Sequence, residues 1–139
     1  MNLHEHKKDF KNIIDTVVMQ VQSLERTFLD KIFALADYYL ADDIPGHSRH
    51  LYDLFKLQPQ LKLDADLKRL YQDVLLARRP HKRCYSAQKN IDLIGLLQEI
   101  YDRAVYKIDY QKKTQYLLYE TCEYETAVSV LPRIIEWLK

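Results

Sequence analysis

Five polar side chains in the first half of this 139-residue chain combine types that suit phosphate chemistry. Lys31 and Asp53 are the central pair, and Arg26, Arg49 and His50 flank them along the sequence. A lysine ammonium binds phosphate as a point charge, and a carboxylate can orient a metal ion or a hydroxyl group. Together with an imidazole, these groups are typical of phosphoryl or nucleotidyl chemistry.

Two successive predicted helices must position these residues. Ser23 can cap a helix that continues to Leu40, because its apolar residues recur at helical spacing. Pro45 and Gly46 interrupt this helix, since Pro45 disfavours a helical residue before it and Gly46 tolerates a reversed backbone. A second, short helix is predicted from Ser48 to Leu57.

The second helix carries a row of charged residues, for which two interpretations remain open. Arg49, Asp53 and Lys56 follow i, i+4 and i+7 spacing and therefore share one face. They can belong to a binding site. They can equally form ordinary surface ion pairs, each contributing about 0.2–0.5 kcal/mol to helix stability.

The remaining sequence predicts an all-α fold, a single helical bundle of about five to six helices. Two glycines and four prolines are too few turn residues for a β-sandwich or barrel. Pro132 should kink or restart the last helix. Four further helices are expected, at about Asp64 to Arg79, Ile91 to Arg103, Asp109 to Thr121 and Tyr124 to Lys139.

The N-terminal residues have a different pattern from the predicted bundle of residues 23–139. Residues 1–22 contain an amphipathic helix at about Glu5 to Asp15, followed by alternating apolar residues that predict a short strand near 17–22. We treat residues 1–139 as one domain. A single strand exposes unpaired backbone donors and acceptors, so we expect this segment either to pair with a sheet or to be used as helix or coil.

Composition restricts the protein's surroundings and partners. The net charge is only +1, so any site for nucleic acid must be a local basic patch. Two cysteines without a short CxxC spacing indicate free thiols in a reducing cytoplasm. No apolar run approaches the roughly 20 residues that span a bilayer, so we expect no membrane partner. Cytoplasmic localisation is therefore predicted.

One local basic patch is present at the end of the third predicted helix. Arg78, Arg79, Lys82 and Arg83 lie close together, with Tyr85 beside them. Cations with an aromatic ring can bind an RNA backbone and stack a base. The same cations can instead complement the helix dipole and face solvent. We keep RNA binding as a hypothesis for these four residues.

Two motifs give the chain a family resemblance. They are Glu25-Arg26-Thr27-Phe28-Leu29-Asp30-Lys31, continuing to Leu35, and Ser48-Arg49-His50-Leu51-Tyr52-Asp53-Leu54. This arrangement resembles the C-terminal half of the AbiEii/AbiGii nucleotidyltransferase toxins of abortive-infection and toxin–antitoxin systems. The likeness covers roughly residues 17 to 139 and is strongest over 24 to 57.

The resemblance implies roles for residues of this chain. Lys31 and Asp53 would be catalytic, and Arg26, Arg49 and His50 would bind nucleotide or phosphate. A complete enzyme of the family would use Mg²⁺ and a nucleoside triphosphate.

The family's Gly-Ser turn and Asp-x-Asp strand are missing here. The one Asp-x-Asp match, Asp64-Ala65-Asp66, lies at a predicted helix cap. We therefore expect no metal ligands, no cofactor and no activity for this chain alone, and the weak His47, His50 and Asp53 spacing does not predict a zinc site.

The expected partners follow from this incomplete resemblance. They are a polypeptide carrying the catalytic half, an antitoxin, RNA, or a second copy of the chain. A non-enzymatic module that binds an antitoxin or partner subunit is the alternative function.

Overall fold

The computed structural model describes residues 24–139, and within that range all of the regular secondary structure is helical. The helix predicted near Glu5 to Asp15 and the strand predicted near 17–22 lie outside the described residues. None of the described helices is both long and apolar enough to cross a bilayer. The helices are α1 (Leu24–Leu40), α2 (Arg49–Leu57), α3 (Ala65–Arg78), α4 (Leu93–Asp102), α5 (107–117), α6 (Tyr124–Val128) and α7 (Val130–Leu138), with short 3₁₀ turns at Gln58–Gln60 and Tyr85–Ala87.

Helix α1 is the centre of the bundle. It contacts α2, α3, α4 and the 3₁₀ turn Tyr85–Ala87. Complete burial of one large apolar side chain contributes about 1.5–3 kcal/mol to folding, so the apolar face of α1 is a main source of stability. Its fully buried residues are Phe28, Leu29, Ile32, Phe33, Leu35 and Ala36.

Several predicted helix boundaries are confirmed. Asp64 caps α3 by accepting a hydrogen bond from the Leu67 amide at 2.9 Å. Helix α4 begins slightly later than predicted, because Asp92 caps it through the Gly95 amide at 3.1 Å. The last helix is interrupted at Ser129 and restarts as α7, in which Pro132 occupies the first turn and needs no amide partner.

The predicted end of the fifth helix is wrong. The helix was expected over about Asp109 to Thr121, but α5 spans 107–117 and contains a π-helical turn at Tyr110–Thr114. Beyond it the chain is extended, because Cys122 enters the core and its carbonyl accepts a hydrogen bond from the Tyr110 hydroxyl at 2.7 Å. Long-range contacts therefore replace the last helical turn.

A buried carboxylate joins the α1–α2 turn to α5. Asp109 accepts hydrogen bonds from the amides of Gly46 at 2.9 Å and Ser48 at 3.2 Å. Gly46 has φ +85°, a conformation that glycine adopts without strain. The Ser48 hydroxyl bonds the Thr114 hydroxyl at 2.7 Å in the same buried region. Burial raises the pKa of Asp109, but the hydrogen bonds from Ser48 and Gly46 and the nearby Lys113 lower it on balance.

Replacing Asp109 should destabilise the fold. In Asp109→Asn the amide group would turn a donor toward backbone amides that also donate, so we expect a loss of about 2 kcal/mol in the free energy of unfolding. Urea denaturation measures this loss. Asp102→Asn, at an exposed position on α4, is the matched control and should change stability by less than about 0.5 kcal/mol. Equal stability of the two variants would contradict the role of Asp109.

Candidate functional site

The structure brings Lys31 and Asp53 into direct contact. Helices α1 and α2 run antiparallel, so residues distant from the connecting turn on α1 meet the later residues of α2. Lys31 Nζ lies 2.8 Å from Asp53 Oδ2, and the side chains are 27% and 23% exposed. The pair is thus partly sheltered and still open to a ligand.

The Lys31 ammonium has unused hydrogen-bonding capacity. It carries three N–H donors, and Asp53 is its one hydrogen-bond partner among the described residues. The other Asp53 oxygen, Oδ1, lies 3.9 Å from Arg49 Nε. Two cations therefore surround one carboxylate, and the excess positive charge favours an anionic ligand.

His50 occupies the same region as a neutral imidazole. Burial lowers its pKa to about 4, with a further lowering by Lys31 that Asp53 opposes. Its Nδ1 atom is buried without a hydrogen-bond partner among the residues described. Near neutral pH, His50 can therefore meet a phosphate through a ring N–H but not through a positive charge.

Tyr38 and His47 join His50 in an aromatic cluster that sequence reasoning missed. The rings of Tyr38 and His47 stack with centroids 3.4 Å apart, and the His50 ring lies 5.8 Å from Tyr38. The three ring planes are within 10° of parallel. The available signal was the seven-residue spacing of Lys31 and Tyr38, which places both on one face of α1.

Two of the predicted polar residues point to other partners. Arg26 pairs with Asp30 at 3.3 Å, and no ion pair between Arg26 and Asp53 is present among the described residues. Lys56 does not continue the row on α2, because its ammonium lies 2.8 Å from Glu120. Of the charged row, only Arg49 stays beside Asp53.

The basic patch divides into an inward and an outward part. Arg78 turns inward, with its guanidinium 2.9 Å from Asp30 and 3.8 Å from Asp37. It also lies over the Phe33 ring, 4.9 Å from the centroid. Arg79 Nε donates to the Ala87 carbonyl at 3.0 Å.

Lys82 and Arg83 are exposed, so they are the members of the patch best placed to meet another molecule. Sequence reasoning missed the acidic partners of Arg78, because they lie more than 40 positions away.

The described residues offer no ready metal site. Across 24–139, no group of three or more His, Cys, Asp or Glu side chains is arranged to hold an ion. The carboxylate of Asp53 is already engaged by two cations. The donor set therefore does not fit Mg²⁺ by itself, and what it does fit is an anion.

The depressed pKa of His50 predicts a pH-dependent stability. The unfolded chain binds a proton at His50 near pH 6.5 and the folded chain only near pH 4, so stability is lost as pH falls through this window. At pH 5 we expect the wild type to lose about 1 kcal/mol relative to pH 7, allowing for partial solvent screening.

This loss is measured by urea denaturation at the two pH values. His50→Gln should lose less stability over this range than the wild type, whereas the exposed His81→Gln should behave as the wild type. An unchanged pH dependence in His50→Gln would rule out this residue as the source.

Comparison with known proteins agrees with the motifs. The sequence model of the family described as "Nucleotidyl transferase AbiEii toxin, Type IV TA system" matches residues 2–130. The match begins earlier than the motif-based expectation of residue 17, and it includes Lys31 and Asp53. No curated protein and no solved structure gives a significant match. Because the family model covers nearly the whole sequence, the chain belongs to the AbiEii nucleotidyl transferase toxin family.

Proposed function

We propose that this chain is the helical part of an AbiEii-type nucleotidyltransferase toxin that binds the nucleoside triphosphate. The observation that carries the proposal is the Lys31–Asp53 contact at 2.8 Å, formed between the two family motifs. Family membership gives the reaction class, and the excess positive charge around Asp53 supports an anionic substrate.

Lys31 and Asp53 have distinct roles in this proposal. In nucleotidyl transfer, an acceptor hydroxyl forms a bond to the α-phosphorus while the bond to the β-phosphate oxygen breaks. Pyrophosphate leaves, and the hydroxyl proton passes to solvent. Two N–H groups of Lys31 have no partner among the described residues, and in this proposal they bind phosphate oxygens and offset the negative charge that develops on the leaving group. Asp53 holds the ammonium in place, and Arg49 and His50 provide further donors.

The rest of the catalytic machinery comes from outside this sequence. The chain has no Gly-Ser turn followed by an Asp-x-Asp strand, and Asp64 of the one Asp-x-Asp match caps α3. We infer that a segment outside residues 1–139, either in a longer form of this protein or in a second polypeptide, supplies these parts, together with the carboxylates that hold Mg²⁺. Nucleotide transfer by this chain alone is therefore not expected.

RNA is the proposed acceptor, and the exposed end of the basic patch is its proposed contact. Lys82 and Arg83 are exposed, and Arg79 lies next to them. Arg78 supports the patch indirectly through its contacts with Asp30 and Asp37. Exposed cations bind the RNA backbone by displacing its counterions.

A non-enzymatic module that binds an antitoxin is the second candidate. The observation in its favour is the exposed aromatic segment after the π-helical turn, where Tyr116 and Leu117 are 82% and 68% exposed and Tyr119 is fully exposed. Exposed apolar segments of this kind mark interaction surfaces in soluble proteins. The family's toxin–antitoxin description makes an antitoxin the expected partner.

Nucleotide transfer should depend on Lys31 and Asp53. The chain is mixed with a polypeptide that carries the Gly-Ser and Asp-x-Asp core, and transfer of labelled nucleotide to RNA is measured. Lys31→Ala and Asp53→Asn should each reduce the rate about 100-fold or more, because the first removes the cation that offsets the developing negative charge and the second removes the carboxylate that positions this cation. Lys107→Ala removes a comparable lysine–carboxylate pair, at 3.4 Å from Glu125, and should leave the rate unchanged.

Three results of this assay would count against the proposal. Absence of transfer with every core-bearing partner would remove the proposal, and a stable complex without transfer would favour the antitoxin-binding module. Full activity of both Lys31→Ala and Asp53→Asn would show that the contact between them is structural only.

RNA binding should depend on the exposed cations. The double variant Lys82→Ala/Arg83→Ala should weaken binding of single-stranded RNA and reduce the slope of log K against log salt by about 1 to 2. Filter binding across a salt series measures the slope. Lys139→Ala removes an exposed cation directly after α7 and is the control. An unaltered slope in the double variant would remove this RNA contact.

A further inference from the structure

A cavity of about 720 Å³ opens beside the aromatic cluster. Tyr38 and Tyr85 contribute aromatic rings to its lining, and Arg78, Arg83 and Asp43 contribute charged groups. Its volume is within the range of sites for small molecules. Tyr38 is therefore shared between the aromatic cluster and the cavity.

The cavity continues the proposed phosphate site along α1. Lys31 and Tyr38 are two helical turns apart on one face, a rise of about 10 Å. Ala34 lies between Lys31 and Tyr38 on that face and also lines the cavity. On this face of α1, the side chain between the proposed phosphate site and the cavity is therefore only a methyl group. This distance is comparable with the length of a nucleotide from its terminal phosphates to its base.

The ring geometry leaves one face of Tyr38 uncovered by the two histidines. His47 lies directly over the first face, at 3.4 Å. His50 is 5.8 Å from Tyr38 and 6.0 Å from His47. For parallel rings, these separations place His50 beside the Tyr38 ring and not over its second face. Since His47 covers the first face and Tyr38 lines the cavity, a ligand in the cavity that stacks on this ring must use the second face.

The charges around the cavity favour a neutral group over a phosphate. The lining carries two arginines, Arg78 and Arg83, and two aspartates, Asp37 and Asp43, so the formal charges of these four residues sum to zero. Asp37 also accepts a hydrogen bond from the Ser86 amide at 2.7 Å, so its charge is held in place. The excess positive charge lies instead at Lys31 and Arg49, around Asp53. Phosphates and base thus have separate places along α1.

We propose that the free face of Tyr38 stacks on the base of the nucleotide whose triphosphate contacts Lys31. This inference rests on the proposed function, because it assigns a second part of the same substrate. Stacking on an aromatic ring tolerates different bases, since every base has a π-face. His47 fixes the ring from behind, and Tyr38 therefore acts as a binding residue for the nucleoside.

Binding of ATP and of inorganic triphosphate to the chain, followed by NMR titration, separates the two parts of the site. The wild type should bind ATP about tenfold or more tightly than inorganic triphosphate, which has no base to stack. Tyr38→Ala should bring the ATP affinity down to that of triphosphate, and Tyr38→Phe should retain it. Tyr101→Ala, at an exposed position on α4, should match the wild type.

Each outcome bears on a different proposal. Equal affinity for ATP and triphosphate, with Lys31→Ala weakening both, would overturn the role of Tyr38 and leave the proposed function standing. Absence of binding by either ligand would overturn both. If Tyr38→Ala fails to fold, ATP bound to the wild type still tests the stacking. An adenine stacked on Tyr38 should show upfield shifts of its H2 and H8 resonances. Unshifted H2 and H8 resonances in bound ATP would overturn the proposal.

Discussion

The hydrogen bonds accepted by the buried Asp109 carboxylate fix the relative position of α1 and α2. They hold the backbone of the intervening turn at Gly46 and Ser48, and the turn determines which residues of the antiparallel helices face each other. The amides before α2 would otherwise attract an external anion, and here an internal carboxylate occupies that place. The contact between Lys31 and Asp53 and the stacking of Tyr38 on His47 both depend on this register.

Helix α1 contributes both to the core and to the candidate site. Its apolar face packs against three other helices, and its polar face carries Lys31 and Tyr38. Arg78 supports the boundary between the two faces, since it covers the Phe33 ring and compensates Asp30 and Asp37. A binding group on a helix that is packed in this way moves little, so its position is set before a ligand arrives.

Local sequence signals predicted the helices and the central pair, because the information lies within a few residues. Caps such as Asp64 and the break at Pro45 and Gly46 are read from neighbours in the chain. The family motifs pointed to Lys31 and Asp53, and the match to the family model confirms the family.

Features that depend on distant partners were not predictable in the same way. From its neighbours in the sequence, Asp109 is an ordinary helix residue. Its role depends on a hydrogen bond from Ser48, which lies 61 positions away. The early end of α5 and the inward turn of Arg78 have the same cause, and so does the stacking of Tyr38 on His47 across a turn. The Lys31–Asp53 contact has one further consequence, which concerns inheritance. Lys31 and Asp53 lie 22 positions apart in one helical hairpin. A gene rearrangement with breakpoints outside this short stretch therefore transmits both residues together to a descendant protein.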